Sequence, residues 1–139
     1  MDITIKDADW VADNNAIKAI RRHVFIEEQN VDEALEWDHH DSSALHFLAL
    51  IDNQPVAVSR LQKNGQLGRM AVLKDFRGKG IGSLLIRHML ELQHSQLTTD
   101  IFLHAQAQAE AFYKKFGFSR QGCEFTEAGI VHYKMILTK

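Results

Sequence analysis

The chain has 139 residues, 45% of them hydrophobic and 24% charged, with a formal net charge of −2. That composition suits one domain, residues 1–139, with a real core, and it argues against the broad nucleic-acid affinity that a basic surface confers. The lone cysteine, Cys123, can make neither an internal disulfide nor a zinc site. No apolar run approaches the roughly twenty residues that a membrane span requires, and the N-terminus lacks a basic-then-apolar signal pattern. These features read as a cytoplasmic protein.

Ile3 and Ile5 alternate with their neighbours and predict a short first strand. Asp7 or Asp9 is placed to cap the helix that follows, where Ala16, Ile17, Ile20 and Val24 recur at helical spacing between Asp13 and Glu28. The next stretch holds Asp32, Glu33, Glu36, Trp37, Asp38, His39, His40 and Asp41 without clear periodicity. Adjacent residues rarely point the same way and no ligand set with established spacing is present, so the stretch reads as a solvated acidic loop rather than a metal site.

His46 to Ile51 and Val56 to Leu61 are strand-patterned and flank the turn Asp52-Asn53-Gln54-Pro55. Asn64-Gly65 marks a second turn, leading into a strand from Leu67 to Leu73. A helix from Ile81 to Leu92 follows, with His88 at the edge of its apolar face. Asp100 to Ala105 predicts a buried strand. A further helix from Ala107 carries Ala109, Phe112, Tyr113 and Phe116 on one stripe and ends at Gly117. Phe118 to Phe125 and Ile130 to Leu137 predict a closing pair of strands. The order implies an α+β fold with a mostly antiparallel sheet, and the β-α-β unit around the helix from Ile81 to Leu92 requires one parallel pair.

Between the predicted strand from Leu67 to Leu73 and the helix from Ile81 lies Arg77-Gly78-Lys79-Gly80-Ile81-Gly82. Alternating glycines leave main-chain N–H groups uncovered where a helix begins, which is a ready site for phosphate. The spacing fits neither a P-loop nor a dinucleotide fingerprint. It fits R-x-x-G-x-G, and this resembles the acetyl-CoA pyrophosphate loop of the GNAT N-acetyltransferases. Gly68-Arg69-Met70-Ala71-Val72 precedes the loop as that family's central strand does, and Phe112-Tyr113-Lys114-Lys115-Phe116-Gly117-Phe118 is similar to its F-Y-x-x-x-G-F signature. Val24 to Val31, Leu103-His104-Ala105-Gln106 and Glu127 to His132 resemble the small bacterial branch of YjcF- and ElaA-like proteins.

The resemblance covers essentially the whole chain and implies the GNAT fold, with two parallel strands splayed apart and helices flanking the sheet. It implies acetyl-CoA as cosubstrate, with Met70, Ala71 and Val72 along the pantetheine arm and Ala71 small enough to clear the thioester. Arg77, Gly78, Lys79, Gly80, Ile81 and Gly82 would surround the pyrophosphate, Ser83 would add a hydroxyl, and Phe112 would complete the cofactor site. The implied reaction is attack of a primary amine on the thioester in a ternary complex. Tyr113 matches the family's thiolate proton donor, and the main-chain N–H of Val72 is the candidate oxyanion donor. Glu28 is the candidate base, with His104, His132 or ordered water as alternatives.

Acidic residues from Glu27 to Asp41 border the expected acceptor side. They favour a small cationic amine, or they serve solubility. Dimers are common in the family, so a homodimer is compatible with the resemblance. The competing reading is a non-catalytic acyl-CoA sensor on the same fold.

Overall fold

In the computed structural model, which describes residues 2–96 and 100–137, alternating and helix-periodic segments settle into one twisted sheet with helices on both faces. Strand β1 (Ile3–Ala8) pairs antiparallel with β2 (Leu45–Ile51), which turns back into β3 (Gln54–Leu61) and β4 (Gln66–Val72). Asp52 and Asn53 take positive φ in the first turn, as a tight hairpin requires. Helix α1 (Asn14–Arg21) crosses one face, and α3 (Ile81–Gln96) crosses the other. Between them lies α2 (Glu33–Glu36), a single turn capped by the Asp32 carboxylate, which accepts from Ala34 N–H at 2.9 Å.

Beyond β4 the chain returns through α3 to β5 (Phe102–Gln106), which is parallel to β4. The short helix α4 (Glu110–Lys114) follows, then β6 (Phe118–Arg120), β7 (Phe125–Glu127) and β8 (Ile130–Leu137). The sheet order is β1-β2-β3-β4-β5-β8-β6, with β7 on the free part of β8. Phe47, Ala49, Leu61, Leu67, Leu85, Ile86, Met89 and Leu103 form the main core under α3. Ile17, Ile20, Val24, Leu48, Val58 and Ala71 form a second core under α1. Among the described residues, no helix is long and apolar enough to cross a membrane.

Three local expectations are revised. The first helix continues as π-helical turns over Arg22–Glu28, where Gln29 N–H reaches back to Val24 O at 3.1 Å. Its N-cap position is Asp13, while Asp9 accepts from Val11 N–H at 2.8 Å in the turn before it and Asp7 meets His88 Nε2 at 2.7 Å. The predicted strand Phe118 to Phe125 is two strands, because Gly122 at φ +81° sits in the bend between them.

Leu85 is wholly buried under the sheet. Leu85→Ala is expected to cost about 2–5 kcal/mol through lost burial and a residual cavity, read as a shift in urea midpoint.

Candidate active site

The central geometric fact is how little of β4 and β5 is paired. Their parallel register holds only Gln66 to Phe102 and Leu67 to Leu103. Past those pairs the strands part, so the β5-facing main chain of β4 from Gly68 onward has no ladder partner there. Against β3, β4 carries a bulge: Ser59 opposes both Arg69 and Met70, and Arg69 sits at φ +48°. A cleft of about 590 Å³ opens at the divergence. Its walls include Gly68, Arg69 and Met70 of β4, His104 and Gln106 of β5, Phe112 and Tyr113 of α4, and Glu127, Ile130 and His132 from β7 and β8.

Phe112 and Tyr113 meet edge to face, with ring centroids 5.1 Å apart, and Tyr113 meets Phe118 at 6.1 Å. Tyr113 thus packs within its aromatic stripe and also reaches the cleft. Burial pushes its phenol up to about 12, so the group carries its proton at neutral pH. Its hydroxyl has no hydrogen-bond partner among the described residues.

The glycine turn lies past the end of β4. Gly78 and Gly80 take φ of +78° and +79°, conformations that glycine reaches without strain. Leu84 N–H is the first of α3 to bond back, to Gly80 O at 3.1 Å, so the N–H groups of Ile81, Gly82 and Ser83 precede the helical ladder. Nothing lies within 4 Å of a Cβ built on Gly78 or Gly80, whereas one on Gly82 would stand 3.4 Å from Phe112 Cζ. Gly82 therefore permits the close approach of the turn to the α4 aromatic.

The structure divides the sequence-predicted residues. Met70, Phe112 and Tyr113 share the cleft, but Arg77 to Ser83 form a separate cradle that does not line it. Arg77 donates from Nε to Val72 O at 2.8 Å and from Nη2 to Glu28 Oε1 at 3.0 Å. Glu28 is thereby held by a cation and does not line the cleft. The Ala71 side chain is only 3% exposed and packs in the core under α1, so it is not a thioester-facing side chain as expected, and its main chain pairs with Val58 of β3.

The acidic stretch is the larger correction. Glu36, Asp41, Arg21 and Arg60 are all at most 3% exposed. Arg21 Nε bonds Glu36 Oε2 at 2.7 Å and its Nη1 bonds Asp41 Oδ1 at 2.8 Å. Arg60 Nη1 bridges Asp41 Oδ1 at 2.9 Å and Asp38 Oδ1 at 2.7 Å. Arg69 closes the network on Asp38 Oδ2 at 3.1 Å and on the carbonyls of Leu35 and Glu36. Outside it, Glu33 pairs with Arg22 at 2.6 Å, and Glu27 lies 3.6 Å from His23.

The stretch is thus a neutralised, partly buried ion network rather than a solvated loop. Most of its carboxylates are matched by arginines rather than left facing solvent. Burial pushes Asp38 and Asp41 up, but the guanidinium groups outweigh it and hold both below the usual range; burial prevails at Glu36, which lies above it. Sequence reading missed this site because each arginine finds its carboxylate from a distant element. The recurrence of Arg21 on the buried helical stripe was the available signal.

Arg21→Met is expected to cost about 3–5 kcal/mol, since it strands buried carboxylates, as measured by urea unfolding at neutral pH. The depressed Asp38 and Asp41 stabilise the fold above the unfolded carboxyl range and lose that contribution as pH falls through their lower folded values. Acid titration of the wild type should show stability falling in that window.

Comparison with known proteins agrees with this geometry. The profile of the "Acetyltransferase (GNAT) domain" matches residues 9–139. The chain is 37% identical over 139 residues to the uncharacterized protein YyaT of Bacillus subtilis (strain 168), covering 96% of this chain and 94% of that one. It is 32% identical to the uncharacterized N-acetyltransferase YjcF of the same organism, covering 84% and 86% of the two chains. The crystal structure of Escherichia coli ElaA superposes with a TM-score of 0.87 at 27% identity, over 99% of this chain and 100% of that one.

Proposed function

Because the chain belongs to the GNAT acetyltransferase family, we propose that it moves the acetyl group of acetyl-CoA to a small primary amine by direct attack in a ternary complex. The observation that carries this reading is the parting of β4 and β5 after two residue pairs, with a protonated phenol on the wall of the gap.

The residues present fit the cosubstrate. An arm with alternating amides would run along Met70, Ala71 and Val72 as an added strand, bonding the β5-facing main chain of Met70 and Val72. The pyrophosphate would take the open turn of Arg77, Gly78, Lys79 and Gly80 and the N–H groups of Ile81, Gly82 and Ser83. Phe112 would pack beside the arm where it meets Gly82. For Arg77 to reach phosphate it must leave Val72 O, and the same movement frees that carbonyl for the arm. Glu28 then acts as the resting partner of Arg77, a role that suits its position better than proton transfer.

In the reaction the amine nitrogen bonds to the thioester carbon, and the oxyanion takes a hydrogen bond from the N–H of Val72. The carbon–sulfur bond breaks and Tyr113 protonates the departing thiolate. The acceptor class is a primary amine, and the small cationic amine suggested by the acidic stretch is the form this reading carries forward.

Calorimetry should give selective binding of acetyl-CoA and CoA over ATP. Gly80→Glu, which adds bulk and negative charge at a positive-φ position, should abolish that binding while thermal melting still shows a folded protein. Unchanged affinity would remove the turn from the site. Tyr113→Phe should lower kcat by about 10²-fold with little change in acetyl-CoA affinity; equal turnover would reduce Tyr113 to packing.

A further inference from the structure

We propose that His104, held in one tautomer by Glu127, is the general base that deprotonates the attacking ammonium; this rests on the acetyltransferase reading above. His104 stands on β5 where the strands part, and its side chain is 26% exposed on the cleft wall. Its Nδ1 lies 3.2 Å from Glu127 Oε1. A carboxylate only accepts, so Nδ1 carries the hydrogen and Nε2 keeps its lone pair. Among the described residues Nε2 has no hydrogen-bond partner. The Gln66 amide, 3.5 Å from Nδ1, is too distant to compete with the carboxylate.

The surrounding groups hold the pair in place. His132 stands on the far side of Glu127, with its Nε2 3.7 Å from Oε2 and its Nδ1 donating to Ile130 O at 2.7 Å. Phe125 stacks on His132 at 5.8 Å and presents its face or edge to His104 at 5.0 Å, perpendicular to it. The hydrogen bond from His104 is the foremost cause that holds the Glu127 carboxyl below its usual range. The other charges about His104 are Lys134, directly across on β8, and Arg69, whose charge reaches Glu127 from β4. Two segments far apart in sequence, at residues 103–106 and 127–132, thus meet as one acid–base unit. Glu28 cannot match this placement, because Arg77 occupies it and it stands off the cleft.

The proton balance closes. His104 Nε2 takes the first proton from the ammonium, and Glu127 stabilises the imidazolium until it releases that proton to solvent. The freed amine forms the carbon–nitrogen bond. The second proton leaves nitrogen as the tetrahedral species collapses, and it replaces the one that Tyr113 gives to the thiolate. Glu127 is a positioning residue, since it acts through the ring.

The test compares two probe amines with acetyl-CoA as donor: ethylamine, cationic at neutral pH, and trifluoroethylamine, which is neutral there and needs no base. His104→Ala should lose about 10²-fold in kcat with ethylamine but stay within a few-fold of wild type with trifluoroethylamine. Its acetyl-CoA affinity and melting temperature should hold, and added imidazole should restore part of the ethylamine rate. Equal losses with both amines, or none, overturn the assignment. Wild type that binds acetyl-CoA but acetylates neither amine also overturns it, whereas wild type that fails to bind acetyl-CoA overturns the acetyltransferase reading itself. Imidazole nitrogen NMR should show His104 protonated at Nδ1 in wild type and shifted toward the Nε2 tautomer in Glu127→Gln. An unchanged tautomer removes Glu127 from the pair.

Discussion

Three arginines and three carboxylates, paired in a partly buried network with no net formal charge, form the constraint on which the site depends. Arg21 comes from α1, Arg60 from β3 and Arg69 from β4, while Glu36 ends α2 and Asp38 and Asp41 come from the connection between α2 and β2. Removing any one partner leaves an unbalanced charge out of water, so the members stay or fall together. The effect is to fasten an irregular connection onto the sheet and to fix Arg69 in a left-handed conformation that is costly for a side chain with a Cβ. Its guanidinium is tied to Glu36 and Leu35 carbonyls, so the surroundings over-determine the backbone. The bulge in β4 is thereby anchored where the two strands begin to part.

From that bulge the rest of the site follows. Met70 and Val72 turn toward the core under α3, and Ala71 toward the core under α1, so β4 is held from both faces while its β5 edge is open. The α4 aromatics then close one wall and the β7–β8 hairpin the other. The glycine cradle at the start of α3 is joined to this cleft by the contact of Gly82 with Phe112, a packing detail that accounts for a glycine inside a helical first turn.

Much of the fold was legible because it rests on local pattern. Alternation located β1, β2 and β3, turn residues located their hairpins, and helical spacing located α1 and α3. The Gly78–Gly82 turn was legible because backbone conformation there demands glycine. The aromatic pair Phe112 and Tyr113 was legible through its fixed spacing within a motif. What sequence hid is non-local. Arg21 and Asp41 are twenty residues apart and read singly as surface charges, yet they are 2.8 Å apart in space. The bulge at Arg69 lies within an apolar run that gives no sign of a left-handed residue, since arginine is poorly suited to one. The division of Phe118 to Phe125 into two strands hung on Gly122, whose turn was masked by the apolar residues on either side.

The brevity of β4–β5 pairing has a mechanical meaning. Two half-sheets, β1 to β4 and β5 to β8, are joined along their length by only two residue pairs. Leu67 and Leu103, each 1% exposed, fill the core at that seam. The junction therefore rests more on the packing of those two side chains than on a backbone ladder. Both leucines also line the cleft, one beside Gly68 and the other beside His104, so a change of shape at either would be felt at the site itself.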